Sequence, residues 1–406
     1  MKILHTSDWH MNDRLGFQDR SDDICRSLEQ IAGYLEEHQV DVMLATGDLF
    51  ERSNNEKKRI AIANVKRIFQ PFLERGGTIL AITGNHDDET FFGTLRDALD
   101  LVAPGQKGRN STHATGRLYI APKARKLQLA DRDGIVVQFI LMPYPTPTCY
   151  LRDKGIGWRT TEEKNYLLQC NFKESLDELR SRLDPRLPSV LLSHIHIRGV
   201  QAHTPYRISE SEDVIFEPGH IPTEWAYAAF GHIHKPQAAI PSAVHVRYAG
   251  SIERMNAGES TDDKSVVLFE VGAAGRLGEP QLLPLKATPI YHVEITDPAV
   301  QLPQLSAQYA DADHALVSYT LHWQPGKDNR DELQRAIECI FKRCYASKCV
   351  RTGSEAAGSG IFTPERLQDI NGTVSEYIDL QLANHPQQTA LKALADELLA
   401  ERDWRV

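Results

Sequence analysis

Long apolar runs are missing from this 406-residue chain. None approaches the roughly 20 residues a helix needs to cross a bilayer, so no membrane-spanning segment is expected. Cysteine is scarce, six residues in all and no Cys-x-x-Cys pair, which argues against a disulfide framework or a thiolate zinc site. Cys339, Cys344 and Cys349 form the one cluster, read as helical core or surface thiols. A basic excess is missing too: Lys and Arg total 46 against 55 Asp and Glu, a net charge of −9. That excludes coating of a polyanion by bulk electrostatics, but not an enzyme that meets phosphate through bound cations. A leader pattern is absent, since an apolar strand begins almost at the first residue, and a reduced, cytoplasmic protein is the expectation. No internal repeat is evident.

What is present is a series of strands that end in metal-ligand types. Ile3-Leu4-His5-Thr6-Ser7-Asp8-Trp9-His10 delivers a carboxylate and an imidazole two positions apart. Residues i and i+2 of a strand share a face, so Asp8 and His10 are expected to meet one object. Ile24, Leu28, Ile31 and Leu35 recur at helical spacing between Ser21 and Glu37, and a strand from Val40 to Thr46 then ends in Gly47-Asp48. A second helix, about Asn55 to Arg75, is stopped by Gly76-Gly77, and the strand Thr78 to Thr83 ends in Gly84-Asn85-His86-Asp87. Strand, helix, strand, helix, strand implies a mostly parallel sheet, with ligands beyond the carboxyl ends of its strands.

Two later strands repeat the theme, ending in Ser193-His194 and in Gly231-His232-Ile233-His234. His196 competes with His194, and the strand-end position favours His194. Arg14 and Arg20 fall in the polar loop after His10, near the presumed site. Lys123, Arg125 and Lys126 read as a solvated strand face. Strands over 244–249 and 265–271 have no helix between them, which predicts a second, more antiparallel sheet. The expected architecture is an α/β, two-sheet sandwich flanked by helices over 1–285. A smaller α+β domain follows over 290–384, with strands at Tyr291 to Ile295 and Ala315 to Leu321 and a helix from Arg330 to Tyr345. Ala356 to Gly360 reads as a loop. Within the last segment, 385–406, an amphipathic helix from Pro386 to Trp404 carries Leu391, Leu394, Leu398 and Leu399.

Asp8, His10, Asp48, Asn85, His194, His232 and His234 are too many donors for one tetrahedral zinc ion. They suit two divalent ions sharing a carboxylate, and Asp48, alone at its strand end, is the natural bridge. Imidazole with carboxylate and amide oxygens admits manganese, iron or zinc. Two such ions can bind hydroxide and clamp the attacking and departing oxygens of a phosphate ester, which makes phosphoester hydrolysis the expected reaction class. His86 remains over, either to protonate a departing alkoxide or to hold a hydrogen bond behind the ligands.

Asp8-x-His10, Gly47-Asp48, Gly84-Asn85-His86-Asp87, His194 and Gly231-His232-x-His234 together resemble the calcineurin-like metallophosphoesterase superfamily, in full motif order over about the first 270 residues. Leu4 to His10, Met142-Pro143-Tyr144, Gly199 after His194, Gly231 to Gln237 and Arg247 to Arg254 are similar to its SbcD nuclease branch. That resemblance implies a manganese-dependent nuclease acting 3′ to 5′ on duplex DNA ends and endonucleolytically on single strands and hairpins. By the same match Asp8, His10, Asp48 and His234 would hold one ion, Asp48, Asn85, His194 and His232 the other, and His86 would be the proton donor. It further implies a capping domain over 290–384 and a last helix that docks on the coiled coil of an SbcC-type ATPase, with two copies of each protein. Met11-Asn12-Asp13 departs from the His-Leu-Gly that often continues the first motif, at a loop expected to contact DNA. The alternatives are a phosphatase or cyclic-nucleotide phosphodiesterase for small molecules, and a scaffold on the same fold without catalysis.

Overall fold

A computed structural model describes residues 1–102, 117–202, 213–352, 374–375, 378–379 and 387–400. The chain opens with β1 (Lys2–Thr6), a short hairpin of β2 (Arg14–Leu15) and β3 (Gln18–Asp19), α1 (Ser21–Glu37), β4 (Val42–Thr46), α2 (Asn55–Glu74), β5 (Thr78–Ile82), α3 (Glu89–Val102) and β6 (Leu118–Ala121). Next come β7 (Arg125–Ala130), β8 (Val136–Met142), α4 (Pro147–Tyr150), α5 (Thr161–Ser181), β9 (Ser189–His194), the two-residue β10 (His196–Ile197) and β11 (Ile215–Phe216), then β12 (Tyr227–Gly231), β13 (Gln237–Ile240) and β14 (Ala243–Tyr248). The remaining elements are β15 (Ser265–Gly272), β16 (Gly275–Pro284), β17 (Ile290–Ile295), α6 (Pro298–Gln308), β18 (Leu316–Trp323), α7 (Arg330–Ile340), β19 (Cys344–Arg351) and α8 (Gln388–Ala400).

Two six-stranded sheets stack face to face, ordered β16-β15-β1-β4-β5-β6 and β13-β14-β12-β9-β8-β7. The period of two along each strand decides what goes where. Ile3, Val42, Leu44, Leu80 and Ile82 of one sheet meet Phe139, Leu141, Val190, Leu192, Tyr227 and Ala229 of the other in the central core. Their neighbours Leu4, Met43, Ala45, Ile79 and Ala81 face the other way, onto Ile24, Leu28, Ile31 and Leu35 of α1 and Phe69 and Phe72 of α2. Across the sandwich, Ile140, Leu191, Phe230 and Val246 turn outward onto Leu168, Phe172 and Leu176 of α5. Strands buried on both faces explain the unbroken apolar runs in the sequence.

The second sheet is not the more antiparallel one. Strands β8, β9, β12 and β14 run parallel, with β7 and β13 antiparallel at its edges. The first sheet has the same balance, since β1, β4, β5 and β6 are parallel while β15 and β16 join antiparallel. The absence of a helix between β14 and β15 marks a crossing between sheets. Residues 249–264 pass over the strand ends and return to pair β15 with β1.

A third sheet, β17-β18-β19, is entirely parallel. Helices α6 and α7 cross over between its strands and cover one face through Leu305, Ile337 and Phe341. This is a βαβαβ unit rather than α+β. The helix expected to reach Tyr345 stops at Ile340, because Phe341 turns into the core and Cys344 to Arg351 pair with β18. Of the cysteine cluster only Cys339 is therefore helical, while Cys344 and Cys349 lie on β19. The loop read at Ala356 to Gly360 lies outside the described residues, as do the side chains of Leu398 and Leu399; Leu391 and Leu394 are exposed on α8. Among the described residues no helix is long and apolar enough to cross a membrane.

Candidate metal centre

Strand β1 stops at Thr6, so Asp8 and His10 lie in the turn beyond it, and strand alternation does not aim them. The backbone does: φ is +50° at Asp8, +47° at His10, +52° at Asp48 and +96° at His232. Four of the six non-glycine residues with positive φ are thus expected ligands. Each costs on the order of 1–3 kcal/mol and persists only where the surroundings demand it. Here the demand comes from loops laid side by side, Asp8 N–H donating to Gly47 O (3.1 Å) and His10 N–H to Asp48 O (3.0 Å). Glycine is required by crowding: a Cβ at Gly84 would lie 2.1 Å from Asp48 Oδ1, and one at Gly47 2.4 Å from His194 Nδ1.

All seven expected donors converge, in two groups that meet at Asp48. In the first, His10 Nε2 is 3.2 Å from His234 Nε2 and 3.9 Å from Asp48 Oδ2, and His234 Nε2 is 4.0 Å from Asp8 Oδ1. In the second, His194 Nε2 is 3.3 Å from Asp48 Oδ2 and 3.1 Å from Asn85 Oδ1, which is 2.9 Å from His232 Nδ1. Behind each imidazole stands an acceptor. His10 Nδ1–H donates to Glu51 (2.7 Å), His234 Nδ1–H to Glu259 (2.9 Å), His232 Nε2–H to Asp213 (3.0 Å) and His194 Nδ1–H to Thr46 O (2.7 Å). These fix each tautomer so that a bare nitrogen faces the cleft.

Two imidazole lone pairs 3.2 Å apart repel unless something positive lies between them. Protons take that part in the structure's own electrostatics. Burial opposes charge on His10, but the Glu51 hydrogen bond and the Asp48 and Asp8 carboxylates overcome it and lift its pKa to about 10. Likewise His194, with burial opposed by Asp48, rises to about 9. Asp48 itself, despite burial, is held far below the usual carboxylate range by His194 and His10. A site that gathers protons this strongly, from oxygen and nitrogen donors in two sets sharing one carboxylate, fits two divalent cations.

His86 stands beside the ligands rather than among them. Its N–H donates to Asp48 Oδ1 (2.8 Å), its ring lies edge-on to His10 at 4.9 Å, and Nδ1 meets Glu51 Oε1 at 3.0 Å. The Glu51 hydrogen bond raises its pKa, and its side chain is 45% exposed to the cleft.

Sequence reasoning missed four groups. Glu51 joins His10 to His86; Asp213 joins His232, His196 and the Tyr144 hydroxyl; Glu259 backs His234 and is itself neutralised by buried Lys264. Asp87 accepts from the N–H groups of Leu49, Phe50 and Gly84, tying two strand ends together. Glu51 and Asp87 had a signal, lying within three residues of expected ligands. Asp213 lay in an acidic run that reads as solvated, and nothing distinguished Glu259. Arg20 does not face the site: it is fully buried, paired with Asp23 and Glu253. The site opens as a cleft of about 440 Å³ lined by the ligands, His86, Tyr144, Arg14 and Leu15. A larger cavity, 890 Å³, contains none of the expected ligands, and its Arg180 and Arg186 are paired with Asp177, Glu224 and Asp184.

Residues 1–236 match the calcineurin-like phosphoesterase model. The chain belongs to that family, whose members are metal-dependent phosphoester hydrolases, and its likeness narrows further among curated proteins. It is 26% identical to the SbcD component of the SbcCD nuclease of Staphylococcus epidermidis, over 73% of this chain and 72% of that one. With the DNA double-strand break repair protein Mre11 of Aeropyrum pernix it shares 23% over 72% of this chain and 63% of the other. Among solved structures, a dimetal phosphatase from Danio rerio aligns with 70% of this chain and 99% of its own, at 9% identity and a TM-score of 0.38.

Proposed function

We propose that the protein is a DNA nuclease of the SbcD type, cutting duplex ends 3′ to 5′ and single strands or hairpins internally, with two manganese ions. The observation that carries the reading is the constellation itself: two donor sets sharing Asp48, with His86 beside them on the Glu51 carboxylate. In this reading Asp8, His10, Asp48 and His234 hold one ion and Asp48, Asn85, His194 and His232 the other. Bound there, the ions supply a hydroxide at neutral pH and positive charge over the phosphate. Glu51, Glu259, Asp213 and Thr46 O keep the imidazoles turned toward the cations. With His86 Nδ1 engaged by Glu51, its Nε2 is the nitrogen that gives a proton to the departing 3′ oxygen.

Residues 290–384 act as a cap over the nucleic acid. Support for this comes from the seating of β19 beside the hairpin that lines the cleft, where Gln18 Nε2 donates to Cys344 O (2.9 Å) and Arg343 meets Asp23 (2.6 Å). The curated relatives named as parts of SbcCD support a cytoplasmic assembly with a coiled-coil ATPase, two copies of each chain, and docking through α8. Its exposed Leu391 and Leu394 are available for that contact.

The test is digestion of end-labelled linear and hairpin DNA with manganese, beside p-nitrophenyl phosphate esters, by wild type and His86→Ala. Nucleotide release by wild type alone is expected. Ester hydrolysis with intact DNA would instead favour a small-molecule phosphodiesterase.

A further inference from the structure

Phe17 is 87% exposed, the most exposed large apolar side chain among the described residues. It does not sit on a loose loop. The hairpin that carries it turns on Gly16 and Phe17, with Gly16 at φ +58°, the first central position of a tight turn where glycine is favoured. Arg14 Nη2 closes the turn on Phe17 O at 2.7 Å. At the base, Arg20 N–H donates to Asp13 O (3.2 Å), and Asp13 N–H to His10 O (2.9 Å), so the hairpin is tied directly to a ligand-bearing turn. On its flank Gln18 holds Cys344 O, and a Cβ on Gly16 would lie 2.4 Å from Tyr345 O. Both the sandwich and the third sheet therefore grip this hairpin, while among the described residues its one aromatic ring meets no aromatic or cationic partner.

Position gives the ring its meaning. Asp13, Arg14 and Leu15 of the same hairpin line the cleft with the metal ligands, and Phe17 projects two residues farther, at the rim. An apolar ring held rigid and bare beside a phosphodiesterase centre has one natural complement, the π-face of a base next to the phosphate under attack. Stacking on an aromatic side chain requires no particular base and is worth about 1–3 kcal/mol. In a chain of net charge −9, grip on a nucleic acid must come from somewhere other than bulk attraction. We infer that Phe17 is a base-stacking post, which clamps an unpaired nucleobase at the cleft rim and sets which phosphate reaches the metals. This rests on the nuclease reading of the site.

The test crosses the ring with the base. Single-stranded oligonucleotides, intact or carrying an abasic residue at successive positions, are digested by wild type, Phe17→Ala and Phe17→Trp. In wild type one abasic position near the cut is expected to lower kcat/KM on the order of tenfold, the effect of a lost stack. Phe17→Ala should cut intact and abasic strands alike, at the wild-type abasic rate, while Phe17→Trp restores the preference. Equal abasic effects in wild type and Phe17→Ala, or equal losses from Phe17→Ala on both substrates, would overturn the stacking role. No DNA cleavage by wild type at all would instead sink the nuclease reading beneath it.

Discussion

Glu51 holds two imidazoles with one carboxylate, His10 at 2.7 Å and His86 at 3.0 Å, and so couples a metal ligand to the proton donor. Both bonds depend on charge, since the two imidazoles hold Glu51 far below the usual carboxylate range and it in turn raises His86. In Glu51→Gln the support for His86 protonation is lost. A general acid works only while protonated, so the alkaline limb of the kcat profile should move to lower pH, and the rate at neutrality should fall about 10- to 100-fold. A pH–rate series with metal analysis checks this. His86→Ala should retain both metals yet lose about 10²- to 10⁴-fold in rate, whereas Asp48→Ala, removing the shared carboxylate, should lose metal outright. If metal analysis finds His86→Ala stripped of both ions, His86 is a ligand and the assignment fails.

Buried His5 obeys the opposite electrostatics. It is wedged between the Tyr227 hydroxyl and Thr46 Oγ1, both at 3.0 Å, and burial together with Arg247 lowers its pKa to about 3. The native state then refuses a proton that the unfolded chain accepts near pH 6.5. Stability therefore rises with pH between about 3 and 6.5 on this group's account, and is lost as pH falls through that window. Chemical denaturation at pH 7 and pH 5 should show wild type losing about 2 kcal/mol more than His5→Asn between the two.

At the scale of elements, the strand ends carry the chemistry because each loop after a strand is pinned against the next. Gly84 is the tightest point, with no room for a Cβ beside Asp48 Oδ1 and backbone N. Gly84→Ala should displace Asp48 and lower metal affinity by at least tenfold in a calorimetric titration. It should also lower the melting temperature, a change of backbone fit that surface glycines such as Gly134 would not repeat. The same elements show what was legible in the sequence and why. Unbroken apolar strands with polar ends, Val42 to Asp48 and Thr78 to His86, announce parallel strands and the ligands beyond them, because burial on both faces leaves no other reading. What they conceal is the aim of each side chain, since Asp8, His10, Asp48 and His232 depend on positive φ enforced by neighbouring loops. The supporting carboxylates Asp213 and Glu259 were hidden because they arrive from distant loops, and β19 because its mixed residues, exposed along much of their length, look like the continuation of a helix.

For the molecule as a whole, the third sheet is held to the sandwich by charge more than by apolar packing. Asp23, 1% exposed, receives Arg20 from the body, Arg26 at the surface and Arg343 from the strand side, the last at 2.6 and 2.8 Å. Burial alone would raise the Asp23 pKa, but hydrogen bonds from Arg343 and Arg20 bring it below the usual carboxylate range. Glu253 extends the network from Arg20 to Ser27 and to the N–H of Thr288, where the chain leaves the sandwich for β17. Arg343→Ala removes the one arm of this network that comes from the third sheet while Arg20 still compensates Asp23. The sandwich core is untouched, so its main melting transition should stay within about 1 kcal/mol of wild type. Hydrogen exchange should nevertheless quicken at the first turn of α1 and along β19, because the seam between the two units has lost its strongest tie. Asp23→Ala should behave differently and cost several kcal/mol, since it leaves buried Arg20 with only Glu253. Equal exchange in wild type and Arg343→Ala would show that the seam is held elsewhere, through Gln18 and the Gly16 turn, and that the hairpin beside the metals is itself the hinge.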